Sequence, residues 1–105
     1  MKFKRNSSIA DGTSFQGYVQ TTFAKIVEVF GKSEGKSGDD KAHAEWGIVF
    51  DDGKVATIYD YNEPKIPKAL YKWHIGGNND AIVERVAHML ECTEYVKGSY
   101  SSYWK

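Results

Sequence analysis

The stretch AEWGIVFDDGKVATIYDY, residues 44–61, constrains the fold more than any other part of the chain. Apolar and polar side chains alternate on both sides of Asp51-Asp52-Gly53, the period of two that a half-buried strand requires. Asp52-Gly53 has the chemistry of a two-residue type I′ turn, whose central residues both hold positive φ, a conformation open to glycine and tolerated by aspartate. The expectation is a hairpin in which Phe50 faces Val55, Ile48 faces Thr57, Trp46 faces Tyr59 and Ala44 faces Tyr61, all on one side of the ribbon. The Trp46–Tyr59 pair would add roughly 0.5–1 kcal/mol to its burial. Asp51 and Lys54 would pair across the turn on the other side. Glu45 would oppose Asp60, an unfavourable like-charge pair unless something basic or metallic lies between them.

Around this hairpin the period changes twice. SFQGYVQ (14–20) alternates, with Phe15 and Val19 on one side and Ser14, Gln16, Tyr18 and Gln20 on the other; Gly17 in its middle marks a bulge or a close neighbour. In TTFAKIVEVFG (21–31), Phe23, Ile26, Val27 and Phe30 fall on one helical face, with Thr21 or Thr22 as cap and Gly31 as stop. Residues 32–41, KSEGKSGDDK, read as a solvated loop. NEPKIPK (62–68) holds both prolines and reads as a loop or irregular edge. LYKWHIGG (70–77) gives a third strand, with Tyr71, Trp73 and Ile75 on one side and Lys72 and His74 on the other. NNDAIVERVAHMLE (78–91) is a second helix, with Ile82, Val83, Val86 and Leu90 as its stripe and Asn78, Asn79 or Asp80 as its cap. A short strand fits 94–97.

The order β-α-β-β-β-α defines an α+β fold: an antiparallel sheet of about four strands with two helices on one face, since each helix has one apolar stripe to bury. Its 105 residues make a single domain, with ill-defined ends at about 1–12 and 98–105. The second sheet face is then partly open and displays some of Gln16, Tyr18, Lys72, His74 and Asp60.

Charge and cysteine usage narrow the function. Fourteen basic and fourteen acidic side chains cancel, so no global field draws the chain to nucleic acid or anionic lipid. No apolar run reaches the length of a membrane helix, and no apolar segment follows the basic MKFKR to make it a secretory leader. The lone Cys92 excludes an intrachain disulfide and fits a reducing, cytoplasmic setting.

Chemistry-bearing motifs are sparse. WHIGGNND runs a strand into a helix start, where free N–H groups receive anions; Gly76 and Gly77 would let a phosphate approach and Asn78 would adjoin it. The spacing matches neither a Walker loop nor a dinucleotide fingerprint, and a strand-to-helix turn is the plainer reading. His43, His74 and His88 lack metal-ligand spacing, and no metal or cofactor is expected. Cys92 follows a helix's last turn, where the dipole disfavours a thiolate, and no nucleophile elbow exists, so no catalytic residue is assigned. Trp46 and its neighbours belong to the core; Tyr61 and Tyr71, flanking the proline loop, suit the surface.

AEWGIVFDDGKVATIYDY with YKWHIGG, preceded by YVQTTFAKIVEVFGK, resembles a recurring family of small bacteriophage-encoded accessory proteins, over roughly residues 17–87. ATIYDY together with WHIGG is the most specific part, and the family supplies no catalytic residues. The resemblance implies a viral protein that acts stoichiometrically in the host cytoplasm. The first expectation is an anti-CRISPR-like inhibitor contacting a host defence protein or protein–nucleic acid complex through Tyr61, Tyr71, Lys72 and His74. An alternative is a sponge for a defence-signalling nucleotide, with HIGGNN on the phosphate. A weaker one is a small hydrolase using His74 with Asp60. Monomer and homodimer are both compatible with the sequence.

Overall fold

A computed structural model describes residues 3–5, 13–33, 44–61 and 63–97. The elements in chain order are β1 (Phe3–Arg5), β2 (Ser14–Thr21), α1 (Phe23–Phe30), β3 (Glu45–Phe50), β4 (Val55–Tyr59), β5 (Tyr71–Gly77), α2 (Ala81–Met89) and β6 (Tyr95–Lys97). Six strands form one antiparallel sheet in the order β1-β3-β4-β5-β2-β6. The α+β class and the two helices stand as expected. The sheet is wider than four strands because a three-residue strand is added at each edge, β1 on β3 and β6 on β2. Residues 34–43, which hold most of the expected Gly/Ser loop and His43, lie outside the described residues, as do 98–105.

The hairpin forms one residue out of the expected register. Glu45 pairs with Tyr59, Trp46 with Ile58, Gly47 with Thr57, Ile48 with Ala56 and Val49 with Val55. The cause lies in the turn. Phe50 N donates to Lys54 O at 2.8 Å and Gly53 N to Phe50 O at 2.9 Å, closing a three-residue loop over Asp51-Asp52-Gly53. Gly53 takes φ 86°, and Asp52 is not among the residues with positive φ, so the I′ geometry is not used; a turn closed by a left-handed glycine takes its place. A slip of one position sends every β4 side chain to the opposite face. Ala56 and Ile58 are fully buried beside Trp46, whereas Val55 and Tyr59 turn outward. The expected Trp46–Tyr59 and Glu45–Asp60 pairs do not form.

The inner face is the core. Trp46, Ile48, Ile58, Trp73, Ile75 and Val19 meet Ile26 and Phe30 of α1 and Ile82, Val83 and Val86 of α2, all buried. Trp46 and Trp73 pack edge to face at 5.6 Å, with Phe23 leaning on both. Each indole N–H is satisfied by backbone, Trp46 by Gly31 O at 2.8 Å and Trp73 by Thr21 O at 3.1 Å. Thr22 Oγ1 accepts from Lys25 N and caps α1. At its other end Arg5 Nη1 donates to Phe30 O at 2.8 Å, placing a cation where the helix dipole favours one. In α2 it is Asn79 Oδ1 that accepts, from Ala81 N, while the Asp80 side chain makes no cap bond.

One irregularity matters for the outer face. The pairing of β2 with β5 shifts between Phe15 and Gly17, so Gln16 is an extra residue. A bulge of this kind re-aims the side chains before it. Phe15 therefore shares the outer side with Tyr18, not the inner side with Val19.

Candidate functional site

The register of β4 and the bulge in β2 together gather five rings on the open face. His74 in β5 lies opposite Tyr18 of β2 and Tyr59 of β4. Around its imidazole stand Tyr18 at 4.9 Å, Tyr59 at 5.3 Å, Tyr61 at 5.4 Å and Phe15 at 5.6 Å between ring centroids. Tyr59 is stacked at 26°, and the other three incline by 47–66°. These five side chains line a shallow cup of about 280 Å³. Tyr61 remains exposed, as does Leu70, just before β5.

The histidine at the centre is held neutral. Burial lowers its pKa from the ordinary 6.5, and the nearby Asp60 carboxylate opposes that shift only in part. Nδ1 is buried and has no hydrogen-bond partner among the described residues. Asp60 itself sits on the inner side of the sheet, fully buried, with Oδ1 accepting from Ala44 N at 3.0 Å. The expectation that Asp60 belongs to the displayed face is therefore corrected by the same one-residue slip.

A folded-state pKa below the unfolded value means that the unfolded chain binds the proton more readily. His74 thus costs stability as pH falls below 6.5, until the folded imidazole itself protonates. The urea midpoint should decline between pH 7.5 and 5, and His74→Phe should flatten that decline. Equal slopes in the two proteins would show that the imidazole is not the group responsible.

The sequence-derived site residues separate into three groups. Tyr61 and His74 meet in the cup, and Lys72 stands next to it on the outer side of β5, opposite Gln20. Tyr71 lies on the inner side against Trp73 at 5.1 Å, and only its hydroxyl reaches the rim, accepting from Tyr61 N at 3.2 Å. Burial, opposed by that bond, pushes the Tyr71 phenol up to about 12. Gly76 and Gly77 belong to β5, paired on both sides and buried. A Cβ on Gly76 would lie 2.3 Å from Thr57 Oγ1, and one on Gly77 2.8 Å from Ile82 Cγ2. Their lack of a side chain serves strand and helix packing. Asn78 is exposed on a separate hollow of about 230 Å³ between the hairpin turn and α2.

Phe15 and Tyr59 are the site residues that sequence reasoning missed. The signal for Phe15 is Gly17, which marks the irregularity without fixing its direction. For Tyr59 it is Gly53, which suits three-residue loops as well as two.

The arrangement places an aromatic cup on the outer face of the sheet. Its lining offers ring faces, three phenols and a neutral imidazole, with no serine, threonine or cysteine nucleophile in the cup. Cys92 lies elsewhere, half-buried, its thiol pushed up by burial. Among the described residues no cluster of His, Cys, Asp and Glu is placed to hold a metal ion, and no helix is long and apolar enough to cross a membrane. No family model, curated protein sequence or solved structure matches the chain.

Proposed function

We propose that the chain is a stoichiometric binding protein that contacts a partner protein through the open sheet face. The observation that supports this reading is the five-ring cup on the open face, with Tyr61 exposed at it. Tyrosines on a rigid frame are common interface hot spots, because they bring large contact area at little entropic cost. In the setting that the resemblance to phage accessory proteins implies, the partner is a host antiviral protein or protein–nucleic acid complex in the host cytoplasm. Occlusion would be the mode of inhibition, as in anti-CRISPR action. Tagged wild-type chain and Tyr59→Ala/Tyr61→Ala, each confirmed folded, are compared by copurification from a bacterial host lysate and mass spectrometry. The wild type should retain a stoichiometric host protein that the double variant loses. Equal retention by both, or no stoichiometric partner, overturns the proposal.

A nucleotide-sequestering protein is the second reading, favoured by the stackable rings and the neighbouring Lys72. The phosphate would then lie by Lys72, not at HIGGNN, whose glycines are inside the sheet. In a thermal-shift panel of linear and cyclic nucleotides, a ligand at about 100 times its Kd should stabilise by roughly 2.7 kcal/mol. No response across the panel removes this reading.

A further inference from the structure

We infer that the cup around His74 is a cation-binding aromatic cage that receives an arginine guanidinium from the partner. This rests on the binding-protein reading above and specifies its chemistry. Ring faces carry negative quadrupole charge and attract organic cations held within about 6 Å of a centroid. Phe15, Tyr18, Tyr59, Tyr61 and His74 line one open hollow, so a group resting in it meets several of their rings together.

Two acidic residues near the cup have the sign that favours a cation. Asp60 lies buried close enough to act on His74 through its field, and Glu45 stands opposite Tyr59 on the outer side of β3. His74, neutral at pH 7, does not supply the cation itself. Shape favours guanidinium over a methylated ammonium. The cup is open and shallow, so it does not enclose a sphere, whereas a planar delocalised cation stacks flat on tyrosine and imidazole rings.

Lys72, on the outer side of β5, has the opposite effect, and it separates the possible ligands. It lies two residues from His74 on the same side of β5, roughly 6.6 Å along the strand. It repels a bound cation and attracts a bound anion.

The test follows the Phe, Tyr and His ring resonances of the intact chain by NMR. Butylguanidinium chloride is titrated against sodium chloride at matched ionic strength, with AMP and p-cresol in parallel. Butylguanidinium should give saturable shifts confined to Phe15, Tyr18, Tyr59, Tyr61 and His74. Lys72→Gln should tighten it and Glu45→Gln weaken it, each by about twofold, as expected for one screened charge at this range. Tyr59→Leu should abolish the shifts. Urea midpoints of each variant confirm folding.

The inference is overturned if butylguanidinium gives no saturable shift. It is overturned equally if AMP binds the same rings and weakens on Lys72→Gln, or if p-cresol alone occupies the cup. Failure here with cup-dependent partner capture intact refutes the cage alone. Cation binding without any captured partner refutes the binding-protein reading alone.

Discussion

Trp46→Ala should destabilise the protein by about 4 kcal/mol, while Tyr59→Ala should cost only about 1 kcal/mol. Trp46 is fully buried between the sheet and α1, packs on Trp73 and Phe23, and donates to Gly31 O. Truncation removes that area, leaves a cavity and strips a carbonyl at the end of α1 of its donor. A small domain has only about 5–15 kcal/mol of stability in total, so the variant should sit near the edge of folding. Tyr59 is half-exposed on the outer face, where its ring stacks on His74, and its truncation leaves no buried cavity. Urea unfolding of the two variants reads the hairpin register directly. In the two-residue register both side chains would share the buried side, and their costs would be similar. Similar measured losses would refute the slip of one residue.

Gly17→Ala should have the second largest effect, about 2–3 kcal/mol, because the clash is with backbone. A Cβ there would stand 2.1 Å from Val96 O and 3.0 Å from Val83 Cγ2. The φ of 157° is one that L-residues rarely adopt. No side-chain rotation relieves contact with a carbonyl, so β6 must move away from β2, breaking the pairs at Gly17–Lys97, Tyr18–Val96 and Val19–Tyr95. Hydrogen exchange should therefore accelerate at residues 95–97 while the β3–β4 amides stay protected. An unchanged urea midpoint together with unchanged exchange in β6 would contradict this packing.

Elements with strong periodicity were legible in the sequence, and the reasons are local. The stripe of Phe23, Ile26, Val27 and Phe30 between Thr22 and Gly31 locates α1 to within two residues. Tyr71, Trp73 and Ile75 alternate cleanly with Lys72 and His74, and β5 takes that phase. Gly17 marked a bulge or a close neighbour, and it has both. What failed was anything decided by a single residue of offset. Asp-Gly serves two-residue and three-residue loops alike, and which one forms depends on whether Ala56 and Ile58 or Val55 and Tyr59 pack better against the helices. Phe3–Arg5 is too short for a periodic signal and is held as a strand by Phe50, Val49 and Ile48 of its neighbour. The cup combines both difficulties. It draws on positions 15, 18, 59, 61 and 74, and no spacing rule unites them until the bulge and the hairpin register are known.

The loop closed by Gly53 gives this chain an unusual mutational sensitivity. Loss of a single codon at the Asp51–Gly53 tip would restore the shorter connection and, with it, the other parity of the following strand. Tyr59 would be turned toward the helices and Ile58 toward water. Substitutions can adjust this surface one atom group at a time, but a one-residue deletion at a solvent-exposed corner would exchange its interior and exterior chemistry in one step. Lineages that keep this outer face should therefore tolerate replacements at positions 51 and 52 far better than any change in the number of residues there.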